Sequence, residues 1–330
     1  MIHINRKVHA KAKPFIKWVG GKGQLIEQLD ALLPADFGRW EDVTYIEPFV
    51  GGGAMLFYML QKYPNIRHAT INDINTDLTT CYLTVRDHPE QLIDSLRDME
   101  TAYMALPSEE ERKELFMAVR KRYNEKGLDP IENTTKFFFL NRTCFNGLYR
   151  VNKRGLFNVP FGKYAHPAIC NPETIRKDSE LLQKVEIVNG DFETTLEHAR
   201  GNTLFYLDPP YRPLSNTSSF NDYAKETFDD DAQTRLKAFC DKIDDAGFKF
   251  MLSNSDGKGK DAEDNFFDLL YESYVIDRVW ASRSVNSNPS KRGKITEIVV
   301  HNYNETKNDC LDGLLQLEDY NMGHGDSKCV

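Results

Sequence analysis

The sequence predicts an α/β fold, in which a doubly wound, mainly parallel sheet is interrupted by an inserted, mainly helical region carrying a β-hairpin. Three observations lead there. An apolar run at 204–207 is stopped by Pro209 and Pro210, as a buried parallel strand ending at its carboxyl edge would be. Residues 43–73 read as strand, glycine turn, helix and second strand closing on Asp73, the nucleotide-binding half of such a sheet. Between that unit and the next strand lie about 100 residues of helical, polar character without strand alternation.

Taken in order, residues 1–13 are polar and expected to fray. Phe15 to Gly23 then leads into a helical pattern of Leu25, Ile26, Leu29, Leu32 and Leu33, stopped by Pro34. Glycines ahead of a helix suit close approach by a ligand. This is not a P-loop, because the leading glycine and the hydroxyl residue after Lys22 are missing. A strand at 43–47 runs into Gly51-Gly52-Gly53 and a helix from about Ala54, and a second strand covers about 68–71. Asp73 follows Gly51 at close to the roughly 20 residues that place a carboxylate on ribose hydroxyls.

The helical stretch runs from about 78 to 135, with Ser108 the N-cap ahead of Glu109, Glu110 and Glu111. Inside the insertion, residues 144–164 are basic and aromatic at once, with a turn at Lys153-Arg154-Gly155. That suits a ribbon entering a DNA groove, and a solvent-facing hairpin is the plain alternative. Strands resume at 185–188 and 204–207, and later near 248–253, 273–280 and 295–302, with a helix at 230–246 ending on Gly247. The polar loop 212–228 is long enough for a lid or clamp. These readings divide the chain into a discontinuous domain (14–80 and 184–304), an insertion (81–183, hairpin about 144–164) and a mobile tail (305–330).

A net charge of −8 argues at first against a nucleic-acid partner, but its distribution reverses the argument. Residues 1–23, 136–163 and 278–294 hold six, six and five Lys/Arg and no Asp or Glu, leaving 25 basic against 50 acidic residues elsewhere. Phosphate contacts come from such local cations. No apolar stretch approaches the roughly 20 residues of a membrane span, and no apolar signal core follows the basic N-terminus. The six cysteines are scattered without a CxxC pair, as expected of reduced thiols in a cytoplasmic protein without a zinc site.

Asp208-Pro209-Pro210-Tyr211 concentrates a carboxylate, a rigid turn with unpaired carbonyls and an aromatic face at one strand end. Such a set suits a flat ring bearing an amine: the oxygens take the amine protons while the tyrosine stacks on the ring. A proline-stopped strand with an ordinary surface tyrosine is the plain alternative.

Seven ordered motifs, over roughly residues 14–302, resemble the Dam-type DNA adenine-N6 methyltransferases. They are FIKWVGGK (15–22), IEPFVGGGAM (46–55), INDINTDL (71–78), NGLYRVNKRGLFNVPFGKY (146–164), GDF (190–192), DPPY (208–211) and SRSVNSN (282–288). The resemblance implies a Rossmann-like methyltransferase sheet with an inserted DNA-recognition domain, S-adenosyl-L-methionine as methyl donor, S-adenosyl-L-homocysteine as product, and no metal. It implies methyl transfer to N6 of an adenine flipped out of double-stranded DNA, within GATC.

Residue by residue, Trp18, Lys22, Asp73 and Asp208 match cofactor-binding positions. Glu47, Pro48, Gly51 and Gly53 lie in the turn alongside the cofactor, and Asp191 and Phe192 resemble the pair near its adenine. Asp208, Pro209 and Tyr211 match the site for the target base. Phe145, Asn146, Leu148, Arg150 and Pro160 match recognition positions in the hairpin, Lys17 matches a residue that also reaches a base, and Arg283, Ser284 and Asn286 belong to the basic loop. Phe145 stands where a tyrosine is common, so stacking survives there but a hydroxyl contact does not. A monomer and a cognate restriction endonuclease in the same cell complete the expectation.

Three rivals differ by residue or by class. Cytosine-N4 enzymes more usually carry Ser-Pro-Pro-Tyr, and RNA or protein-amide enzymes Asn-Pro-Pro-Tyr, so Asp208 counts against both. A non-catalytic DNA-binding protein that kept the fold would not need the full cofactor set.

Overall fold

The computed structural model describes residues 11–212, 228–259, 261–282 and 294–307. Among these, seven strands form one sheet: β1 (Val43–Glu47), β2 (Ile66–Asp73), β3 (Val185–Asn189), β4 (Thr203–Leu207), β5 (Lys249–Ser255), β6 (Val275–Ser282) and β7 (Lys294–His301). Their order is β3-β2-β1-β4-β5-β7-β6, in which β1 to β5 are parallel and β7 enters antiparallel between β5 and β6. Every residue of β1 and β4 is buried, which explains why both read as unbroken apolar or β-prone runs rather than as alternations. The doubly wound α/β expectation holds.

The helices are α1 (Ile26–Ala31), α2 (Ala54–Lys62), α3 (Thr76–Asp87), α4 (Pro89–Met104), α5 (Glu109–Asn124), α6 (Pro130–Thr143), α7 (Pro172–Leu182), α8 (Asp230–Asp245) and α9 (Phe266–Leu270). Their starts are written in side-chain chemistry. Asn75 accepts from the Leu78 amide, Asp129 stands before Pro130, Asn171 before Pro172, and Asp229 accepts from the Ala232 amide. Ser108 and Glu111 form the full reciprocal capping box at the head of α5. No helix among the described residues is long and apolar enough to cross a membrane.

Helices α4 to α7 share one continuous core with the β1–β2 half of the sheet. Phe15 stacks on Phe138 of α6 with ring centroids 5.4 Å apart, and Tyr82 of α3 meets the same ring of Phe15 at 4.9 Å. A second core lies under β4, β5 and α8.

Two expectations change. Residues 144–164 form no pair of strands; two isolated antiparallel bridges, Cys144 with Phe161 and Val151 with Phe157, hold a loop together. Backbone bonds cross the loop from Asn152 to the Leu156 carbonyl at 2.9 Å and from Asn158 to the Arg150 carbonyl at 3.1 Å, but side chains take other amides: Asn152 Oδ1 accepts from Arg154 and Leu156, and Asn124 Oδ1 accepts from Phe157. The stretch from 305 is docked at its start, where Thr306 bridges Pro34 and the Lys307 ammonium pairs with Asp30. Residues 308–330 lie outside the described residues, as do Arg283, Ser284, Asn286 and most of the expected 212–228 loop.

Candidate active site

A cavity of about 800 Å³ opens at the carboxyl edge of the parallel strands, where ligands of such sheets bind. It gathers residues from six separate stretches: Trp18 and Lys22, Glu47 to Gly53, Asp73, Asp191 and Phe192, Asp208 to Tyr211, and Phe228 with Arg235. Every residue predicted for cofactor or target base therefore lines one space. Of the residues predicted for DNA contact, the described ones (Lys17, Phe145, Asn146, Leu148, Arg150 and Pro160) lie outside it.

The floor is the glycine turn between β1 and α2. Gly51 and Gly53 have φ of +49° and +72°, and a Cβ on Gly51 would come within 2.9 Å of the Trp18 indole, so only glycine lets that ring close the turn. Gly51 donates its amide to Asp73 Oδ2 at 3.2 Å, and Asn75 donates to Oδ1 at 2.9 Å. Burial raises the Asp73 carboxyl above its usual range against the pull of these two amides. Beside it, Asn72 gives its amide hydrogens to the carbonyls of Pro48 and Gly190, and its buried Oδ1 has no hydrogen-bond partner among the described residues. Unpaired buried acceptors are rare, and Asn72 itself lines the cavity.

At one end Phe49, Phe192 and Phe228 form an aromatic group, Phe49 lying 5.1 Å from Phe192 and 5.9 Å from Phe228 between centroids. The Arg235 guanidinium sits 4.4 Å over Phe192 and pairs with Asp191, whose carboxyl is held low by that bond despite burial pushing it up. Phe49 and Phe228 were not among the predicted residues, although Phe49 lies inside a quoted motif.

The far end is ionic. Lys22 is buried and donates to Asp208 Oδ1 at 2.6 Å and to the Tyr211 hydroxyl, with its ammonium 4.4 Å above the tyrosine ring. Ser253 of β5 donates to the same Asp208 oxygen at 3.3 Å, and Tyr211 donates to Glu297 of β7. Burial raises the Asp208 carboxyl, with Lys22 opposing. Burial also pushes Glu47 up to about 8, although Tyr45 donates to it at 2.6 Å; nearby Asp208 adds to the rise. Ser253 and Glu297 escaped the sequence reading. The one available signal was an acid in the β-branched run Ile295 to Val300.

The predicted recognition residues cluster on the 144–164 loop. Phe145 is 52% exposed, a large apolar side chain offered to solvent, and Asn146 follows in the left-handed region at φ 56°. Arg150 and Pro160 are exposed, Leu148 is half-buried, and Arg150 Nε donates to Asn158 Oδ1 at 2.8 Å. Lys17 joins this group: Asn141 bonds both its backbone amide and its carbonyl, and its ammonium lies 5.8 Å over Tyr164. The loop also touches the cavity wall, because Tyr149 stacks on Trp18 at 5.3 Å.

A doubly wound sheet with a glycine turn, an acidic strand tip and an aromatic cleft at its carboxyl edge is the architecture of nucleotide-binding α/β enzymes. Within that class the chain belongs to the D12 class of N6 adenine-specific DNA methyltransferases, whose family model matches residues 18–285. It is 44% identical over 296 residues to the type II methyltransferase M.MjaIII of Methanocaldococcus jannaschii, covering 89% of this chain and all of that protein. It is 36% identical to the type II methyltransferase M1.LlaDCHI of Lactococcus lactis subsp. cremoris, over 92% of this chain and 99% of the relative. A DNA adenine methylase of Vibrio cholerae is 31% identical over 88% of this chain and 96% of its own length. The protein is an adenine-specific DNA methyltransferase, which removes the cytosine, RNA and non-catalytic rivals.

Proposed function

We propose that the enzyme takes its methyl group from S-adenosylmethionine and transfers it to N6 of an adenine flipped out of duplex GATC. The observation that carries this reading is the meeting of Asp208 with the glycine turn and Asp73 in one cavity. When bound, the cofactor supplies a methyl group already activated on a positively charged sulfur. The cavity suits it: a cluster of phenylalanines for a purine, Asp73 and the unpaired Asn72 oxygen for hydroxyl or amine donors, and an excess of carboxyl groups for a cation.

Trp18 and the turn from Glu47 to Gly53 form its walls, with Asp191 and Phe192 at the purine end and Lys22 at the other. Adenine's exocyclic amine is a poor nucleophile because its lone pair is delocalised into the ring. Asp208 and the Pro209 carbonyl accept its two protons, turning the lone pair toward the methyl group, and Tyr211 stacks on the ring. The proton that the methylated nitrogen must lose is taken up at Asp208. Catalysis here is positioning and electrostatics. A paired adenine cannot reach a site this enclosed, and flipping costs a few kcal/mol. Stacking on Tyr211 returns roughly 1–3 kcal/mol of it.

Lys17, ahead of the insertion, and Phe145, Asn146, Leu148, Arg150 and Pro160 within it form the DNA-facing side, and Arg283, Ser284 and Asn286 are further candidates for DNA contact. The type II designation of two relatives supports a partner restriction endonuclease. A single copy acting on one strand at a time in the cytoplasm is the simplest working form. The test is methyl transfer from labelled S-adenosylmethionine to duplexes centred on GATC, GTTC and GACC, with the product base identified by mass spectrometry. N6-methyladenine in the GATC duplex alone is the expected result. The same product in another context would discard GATC, and no transfer to any duplex would discard the reading of the site.

A further inference from the structure

We propose that Glu297 is a positioning residue: it holds the ring of Tyr211 where the target base stacks. This rests on the reading of Tyr211 as the stacking surface. The sheet order makes the contact. Strand β7 runs against β4 and β5, so its first residues, rather than its last, reach the carboxyl edge where β4 delivers Asp208 to Tyr211. Glu297 pairs with Ser255 of β5 in that register and is 9% exposed.

A buried carboxyl in a strand is costly unless something holds it. Lys22 supplies part of the compensation, because its ammonium forms an ion pair with Glu297 at 3.7 Å, but its hydrogen bond goes to Asp208 at 2.6 Å. What Glu297 does bond is the Tyr211 hydroxyl, which in turn accepts from Lys22. The phenol thus has both its donor and an acceptor function used, and the ring cannot swing without breaking one of them.

The backbone just beyond is pinned separately. Arg212 pairs with Asp230 at 2.6 Å and Asp264 at 3.0 Å and lies 4.1 Å over Phe266. Arg212 fixes the chain, and Glu297 fixes the side chain that the chain carries.

The test is a double-mutant cycle in the full-length enzyme with Glu297→Ala and Tyr211→Phe, read by kcat, by KM for S-adenosylmethionine, and by 2-aminopurine emission from duplex substituted at the target adenine. Each single change is expected to lower kcat about 10- to 100-fold, as misplacement of a reacting group does. The cofactor KM should stay within about threefold, because uniform binding is untouched. The emission change on binding should differ from wild type, and the double variant should be no slower than the worse single one. Glu297→Gln, whose amide oxygen can still accept from the phenol, should recover most of the activity.

Effects that multiply, a Tyr211→Phe enzyme with wild-type kcat, or a Gln variant as slow as Ala would each overturn the assignment. If Glu297→Ala fails to fold, Tyr211→Phe and Glu297→Gln still decide it. Absence of any 2-aminopurine response in the wild type would instead sink the flipped-base reading on which the assignment stands.

Discussion

Glu47 is the residue whose surroundings most oppose its charge. It is buried in β1, and its carboxyl titrates near 8 because the fold favours the neutral form. An acid raised in this way contributes fully below its ordinary value of 4.5, and the contribution is lost as pH rises from there to about 8. The melting temperature of the wild type should therefore fall more steeply through that range than that of Glu47→Gln, whose amide oxygen still accepts from Tyr45. Asp178 is also pushed to about 8 by burial, but it is common to both proteins, so the difference between the two curves isolates Glu47. Asp208→Ala should lower methyl transfer about 100-fold or more while DNA affinity stays within about threefold, read by turnover and by binding to the same duplex. Wild-type turnover in that variant would refute the proposed amine contact. Residues of this kind were legible where a short motif carried them. Glu297 was not, because what makes it matter is a strand order that no local spacing reveals.

Elements were more legible than residues. The strand at 43–47, the turn into Ala54 and the cap at Ser108 follow from local rules: apolar runs, left-handed glycines and side-chain acceptors at helix starts. Ser108→Ala should cost about 1 kcal/mol in chemical denaturation. It should leave turnover unchanged, since α5 begins far along the chain from any cavity residue. The 144–164 loop was harder, because the backbone bonds that cross it are interrupted by side-chain acceptors on Asn152 and Asn124 and never extend into paired strands. That loop still leans on the cavity through Tyr149 and Trp18, so loop and cavity wall share one aromatic stack. Two changes on the loop separate reading from holding. Arg150→Ala should relax discrimination at one base by about 1–3 kcal/mol. Lys153→Ala at the exposed tip should weaken all duplexes alike and reduce the slope of log K against log salt by about one.

At the scale of the whole molecule, an acidic chain presents basic ground only where acids are missing. The three acid-free segments come from the beginning, the middle and the end of the sequence. The ionic end of the cavity is assembled the same way, with Lys22 near the start, Asp208 and Tyr211 beyond the middle and Glu297 in the last strand. Beyond the other end of β7, the end of the described chain is stitched to its beginning: Tyr303 donates to the Leu32 carbonyl and Lys307 pairs with Asp30. This ordering has a meaning in time as well as in space. A ribosome delivers Lys22 early and Glu297 late, so a nascent or stalled chain that already contains the glycine turn and Tyr211 still lacks the carboxylate holding that ring. The enzyme is in effect kept unfinished through most of its own translation, and a message truncated before β7 should yield a product that leaves the genome unmarked.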